Sequence, residues 1–138
     1  MTATVSRKLG IREDVRALYV NAPAGVVDTI EPPPLRYEPD ADGRFDYIHL
    51  FTTTGADLDA RFPGLRDQLA PGGMLWVSWP KGGQQGTDLR LPEVIRIGYS
   101  HGLVESKSIG IDATWSALRF TWQIPGKVYA NSFGTLPD

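Results

Sequence analysis

The residues of this chain best suited to chemistry gather around positions 74–83, Met-Leu-Trp-Val-Ser-Trp-Pro-Lys-Gly-Gly. An uncharged strand stops at Pro80, which has no N–H to give a sheet ladder, and Lys81 follows at once with two glycines. A lysine beside glycine N–H groups and a helix N-terminus can hold an anion or a phosphate. Trp79 and Trp115 could sandwich a ring or pack over the lysine stem. A second reading stays open: Lys81 pairs with Asp88 or Asp112 and locks the loop, while the tryptophans fill the rim of the core. The order Gly-x-x-x-x-Gly-Lys-Ser/Thr is absent, so this is not a P-loop.

Those residues need elements to position them. Residues 15–20, 45–51, the run from Met74, 103–111 and 118–124 read as strands. Leu35 to Glu38 reads as an edge strand. Helices are expected over 25–30, over a stretch capped by Thr54 with Asp57 at its third position, and over 91–100. In the second of these Leu58, Phe62, Leu65 and Leu69 share one face, and Pro63 is expected to kink or split the helix. Residues 1–10 read as a polar, partly mobile arm whose residues 8–10 lead with Ile11 into the fold, and 125–138 as a tail, leaving one domain over 8–124.

Strand–helix alternation closed by a hairpin predicts a three-layer Rossmann-like α/β domain, mostly parallel, with an antiparallel last strand. Parallel strands share the edge where they end. That topology gathers Asn21, Thr52, Thr53, Trp79, Lys81, Thr87, Asp88, Asp112, Trp115 and Ser116 on one candidate surface.

Composition narrows the classes. The chain has 138 residues, 41% of them hydrophobic, a net charge of -2 and no cysteine. One core can form, nucleic acid is not expected, and thiol chemistry and disulfides are excluded. No signal peptide or membrane span is expected, and the chain reads as cytoplasmic. His49 lies within a strand and His101 at a helix end, without metal-ligand spacing, so no metal is expected. His49 is expected to be hydrogen-bonded and to face a helix. Composition allows a Ser–His–Asp triad, but there is no Gly-x-Ser-x-Gly elbow. Glu13 and Asp14 precede the first strand and read as solvated.

The helix–strand–hairpin–strand ending, and Leu-Ala-Pro-Gly-Gly at 69–73, resemble the C-terminal half of class I methyltransferases. Such enzymes need a glycine-rich turn after the first strand. Residues 21–25, Asn-Ala-Pro-Ala-Gly, supply one glycine and a rigid proline. Glu38 or Asp40 is the candidate acid for a ribose, after a short connection broken by three prolines. S-adenosylmethionine, and cofactors generally, are therefore not expected.

The blocks Leu-Gly-Ile at 9–11, Tyr-Val-Asn-Ala-Pro-Ala-Gly at 19–25, Trp-Val-Ser-Trp-Pro-Lys at 76–81, Thr-Asp-Leu at 87–89, Gly-Leu-Val at 102–104 and Thr-Trp-Ser-Ala-Leu-Arg-Phe at 114–120 resemble a small bacterial family with a truncated methyltransferase-like fold. That family has no assigned activity, so the resemblance implies a single small cytoplasmic domain and no catalytic roles. Gly82 stands where the family pattern often has a second lysine, and Ala113 where it often has glutamate.

The resulting expectation is a non-catalytic binding or regulatory module that holds a small anionic ligand or a protein partner at the sheet edge. The alternative is a degenerate methyltransferase that still binds its cofactor. A third possibility is self-association, as a homodimer, through the aromatic strand 118–124.

Overall fold

The computed structural model describes residues 4–137. Five strands, β1 (Ala17–Val20), β2 (Phe45–Phe51), β3 (Leu69–Pro80), β4 (Val104–Gly110) and β5 (Trp115–Thr121), form one sheet in the order β1-β2-β3-β5-β4. The β1–β2 and β2–β3 pairs are parallel, and β5 runs antiparallel between β3 and β4. The first four strands therefore share one direction, as expected, but β4 sits outside β5. The parallel part follows from β1 and β2 each being followed by a helical crossover.

Alternation along the strands divides the core into two layers. Ile48, Leu50, Leu75, Val77, Trp79, Leu118 and Phe120 face α3 (Gly55–Asp67) and α4 (Leu91–Ser100). Tyr47, Phe51, Trp76, Trp115 and Ala117 face α1 (Val5–Leu9) and α2 (Val26–Ile30). The result is helices, sheet, helices: the three-layer α/β architecture read from the sequence.

Four expectations need correction. Residues 5–9 are not a mobile arm. Thr4 caps α1, Gly10 closes it in the left-handed conformation, and Leu9 is fully buried against the sheet. Leu9 is further held because the Trp76 indole N–H donates to its carbonyl at 3.1 Å. The expected arm at positions 1–3 lies outside the described residues.

Helix α3 runs through Pro63 without splitting, because Leu58 and Phe62 before it and Leu65 after it are all anchored in the core. Strand β5 begins at Trp115, so Trp115 and Ser116 belong to the strand rather than to the connection. It ends at Thr121, leaving Trp122 and Ile124 outside it and 37% and 60% exposed. The stretch at 35–38 forms only one bridge, Arg36 to Arg16.

The C-terminal tail returns to the sheet. Tyr129 and Leu136 pack on the α3/α4 core, and the Asn131 amide donates to Glu105 at 2.8 Å. Among the described residues no helix is long and apolar enough to cross a membrane.

Candidate functional site

The one-bridge stub at Arg36 creates the site. Arg36 N–H donates to Val15 O at 3.0 Å, and Ala17 N–H donates to Arg36 O at 2.7 Å. Arg16 O instead accepts from Tyr47 N–H at 3.0 Å. Neighbouring residues of a strand aim their backbone groups to opposite sides, so the stub lies on the side of β1 away from β2. The chain thus leaves β1 outward through α2 and returns inward to β2. Open α/β sheets bind ligands outside the carboxyl ends of the strands at such a reversal.

A cleft of about 510 Å³ opens at that point. Asn21 and Pro23 line it from the end of β1, and Phe51, Thr52 and Thr53 from the end of β2. Asp57, Gln85 and Trp115 complete it. Of the residues expected from sequence, Asn21, Thr52, Thr53 and Trp115 do meet here. Its floor is aromatic: the Phe51 and Trp115 rings meet edge to face at 5.3 Å.

Trp79, Lys81 and Ser116 go elsewhere. They line a separate groove of about 370 Å³ on the α4 side of the sheet. Trp79 belongs to the α3/α4 core and Trp115 to the α1/α2 core, so the sheet separates them and they cannot sandwich a ring. Lys81 pairs with neither Asp88 nor Asp112 through a carboxylate. Its Nζ runs past Gly110 and donates to the Asp112 main-chain carbonyl at 2.5 Å. Its backbone N–H donates to Thr114 O at 2.7 Å, and the Gln84 amide donates to Ala113 O at 3.2 Å. The lysine thus ties the loop to main-chain carbonyls and forms neither of the expected ion pairs.

Three further candidates are engaged in local structure. Asp112 Oδ1 accepts from the N–H groups of Thr114 and Trp115, both at 2.8 Å, and closes the β4–β5 turn. Asp88 Oδ1 accepts from Gly55 N–H at 2.8 Å, at the start of α3. Buried Thr87 donates to Thr53 O at 2.5 Å and accepts from Leu89 N–H at 3.0 Å. With Thr54 Oγ1 accepting from Asp57 N–H, the N-terminus of α3 is already capped from within the chain and offers little to an anion.

Asp57 is the charged residue lining the cleft. Thr52 Oγ1 donates to its Oδ2 at 2.6 Å and Arg61 Nε to its Oδ1 at 2.9 Å. The Thr52 hydrogen bond, then the Arg61 contact, hold its pKa below the usual carboxylate value. Among the described residues lining the cleft there is no lysine or arginine.

Four lining residues, Pro23, Phe51, Asp57 and Gln85, were not among the candidates read from sequence. Asp57 reads there only as a cap, and Gln85 as filler between glycines. Asn21 and Gln85 both adopt left-handed backbone, φ 59° and φ 57°. Asparagine tolerates this region; for glutamine it is less usual. Sequence carries no sign of the Gln85 conformation.

Beneath the floor runs a buried polar chain. His49 Nδ1 lies 2.7 Å from the Tyr47 hydroxyl and Nε2 lies 2.7 Å from Ser78 Oγ. Tyr47 donates onward to the Tyr19 hydroxyl at 3.3 Å. His49 and Ser78 are fully buried, and the Phe51 ring stacks on the imidazole at 4.4 Å. His49 is hydrogen-bonded and faces the helical layer, as its sequence position predicted. Burial pushes its pKa down to about 3 and raises that of Tyr47 well above the usual phenol value. Among the described residues no carboxylate bonds to His49, and both His49 and Ser78 are fully buried, so the pair is not an exposed nucleophile and base.

His101 caps α4, stacks on Phe62 at 5.3 Å and reaches Asp59 at 2.7 Å. Glu13 and Asp14 are exposed. Among the described residues no group of three or more His, Asp or Glu is placed to hold a metal.

No protein-family model matches the sequence, and no curated protein matches it. Solved structures do share the fold. One, described as a ribosomal protein L11 methylase from Lactobacillus delbrueckii subsp. bulgaricus, aligns over 87% of this chain and 76% of its own with a TM-score of 0.59 and 12% identity. Another, described as a protein in the NADB-Rossmann superfamily from Streptococcus agalactiae, aligns over 93% of this chain and 72% of its own with a TM-score of 0.52 and 8% identity. At such identities the likeness is one of fold: this chain is a Rossmann-like α/β protein similar to methyltransferases in architecture.

Proposed function

We propose that this protein is a non-catalytic binding module that takes a small, uncharged or cationic ring compound in the cleft between the ends of β1 and β2. The observation that carries the reading is the pair of carboxamides, Asn21 and Gln85, held in left-handed backbone at the mouth of an aromatic-floored cleft. Non-glycine residues in such conformations cost about 1–3 kcal/mol and cluster at ligand sites. Unlike the Gln84 amide, theirs have no hydrogen-bond partner among the described residues, leaving donors and acceptors for the edge of a heteroaromatic ring. None of the described residues lining the cleft is a lysine or arginine that would recruit an anion. The cleft volume of about 510 Å³ suits a ligand of nucleoside size. The His49 imidazole is sealed beneath Phe51, and the Asp57 carboxylate in the cleft is held by Thr52 and Arg61, which disfavours its use as a base.

A second reading is retention of S-adenosylmethionine binding, favoured by the fold shared with the L11 methylase and by the strand reversal at β1. The single glycine and Pro23 in the turn at 21–25 count against it.

Calorimetry with adenosine, adenosine monophosphate and S-adenosylhomocysteine separates the readings. The module reading expects adenosine to bind more tightly than its monophosphate. It also expects Gln85→Gly, which relieves the backbone and removes the amide, to weaken binding about tenfold. Preferential binding of S-adenosylhomocysteine supports the cofactor reading. No binding of any of the three at millimolar concentration overturns both.

A further inference from the structure

We infer a second ligand site, for a phosphate or similar oxyanion, at the opposite edge of the sheet. A cleft of about 360 Å³ lies where β1–β3 begin and β5 ends, and Arg12 and Arg119 both line it.

Arg119 is held there by several neighbours. Its guanidinium lies 5.8 Å over the ring of fully buried Trp76, and its Nε donates to Ser106 Oγ at 2.8 Å. Ser106 sits in a register shift of β4 between Glu105 and Lys107. Such bulges re-aim side chains. Here the shift brings Ser106 to Arg119 and sets Lys107 directly opposite Arg119 across the β4–β5 pair. Like charges facing one another across strands are destabilising. Lys107 Nζ donates to Lys8 O at 2.8 Å.

Among the described residues no carboxylate pairs with this group. None of the ion pairs among the described residues involves Arg12, Lys107 or Arg119. The carboxylate lining the cleft, Asp46, forms no ion pair either, and its Oδ2 accepts from the main-chain N–H of Arg16 at 3.1 Å. Two lining cations, Arg12 and Arg119, against one lining carboxylate, Asp46, leave net positive charge in a concave site. With Nε engaged by Ser106, the outer edge of Arg119 presents the paired donors that suit a phosphate.

The test is titration of the full chain with inorganic phosphate and with ribose 5-phosphate at constant ionic strength, followed by amide NMR and thermal unfolding. Saturable shifts are expected at Gly10, Arg12, Gly72, Gly73 and Arg119. The melting temperature should rise roughly 5 °C once ligand exceeds its dissociation constant tenfold. The tighter of the two ligands identifies free phosphate or an ester as the source.

Arg119→Gln, and separately the exposed Arg12→Gln, should weaken binding about tenfold or more. Lys127→Gln in the tail and Gln85→Gly at the other edge should not. Arg12→Gln leaves the Trp76 stack untouched, so it stays informative should Arg119→Gln unfold. Absence of saturable shifts with both ligands, or binding unchanged in both arginine variants, overturns the site.

Discussion

His49 makes the acid stability of this fold predictable. Its imidazole is fully buried, and burial lowers its pKa from 6.5 to about 3. Between those values the unfolded chain binds a proton that the folded chain does not. Stability therefore rises with pH across this window: the contribution is complete above pH 6.5 and is lost as pH falls toward 3. Each pH unit is about 1.4 kcal/mol, so a fall from pH 6.5 to pH 4 removes about 3 kcal/mol, a large share of a typical domain's stability. Urea unfolding at a series of pH values reads this directly. His49→Gln should lower stability at pH 7 and flatten the curve between pH 6 and 4. The difference between the two proteins isolates His49 from Asp40 and Asp57, whose depressed pKa values matter at lower pH. In the wild type the His49 ring signals should not titrate above pH 4. A His49 titration midpoint near 6, or identical pH curves for the two proteins, refutes the reasoning.

Two further substitutions test the packing and the loop. Gly98→Ala places a methyl 2.0 Å from Cε1 of buried Phe120, and the overpacking, about 3 kcal/mol, outweighs the roughly 1 kcal/mol gained in helix propensity. The net loss of about 2 kcal/mol is expected as a melting temperature lower by roughly 6 °C; an unchanged or raised value contradicts the close contact between α4 and β5. Lys81→Met removes the tie to Asp112 and is expected to cost about 1 kcal/mol. Amide exchange should then accelerate together at 81–86 and 112–114, and unaltered exchange there means the lysine does not staple the loops.

What could be read from sequence was set by periodicity. Phe45 to Phe51 is apolar enough to be a strand under any packing, and Thr54 with Asp57 is a local cap that needs no partner. Their roles in β2 and α3 were legible for that reason. Helix α1 was not, because only Val5 and Leu9 are apolar and a helix this short depends on docking. The edge of the sheet was legible; the face was not. Trp79 and Lys81 share one face and Trp115 the other, a fact set by the β3–β5 register, which pairs Pro80 with Trp115. Sequence fixes alternation within a strand but not phase between strands. Gln85 and the Ser106 bulge were hidden for a related reason: both are backbone conformations imposed by neighbours distant in the chain.

The two borders of the sheet bear on how copies of this chain meet. An outermost strand offers unpaired N–H and C=O groups that recruit other strands. Beyond β1, the path to the Arg36 bridge contains Pro32, Pro33 and Pro34, three consecutive residues with no N–H to offer. At β4 the opposite border carries Glu105, Lys107 and an irregular register. Both borders are thus poor templates for extending the sheet. Self-association through added strands is disfavoured, so a crowded solution of the folded chain should resist fibril growth even though Trp122, Ile124 and Val128 stand exposed nearby.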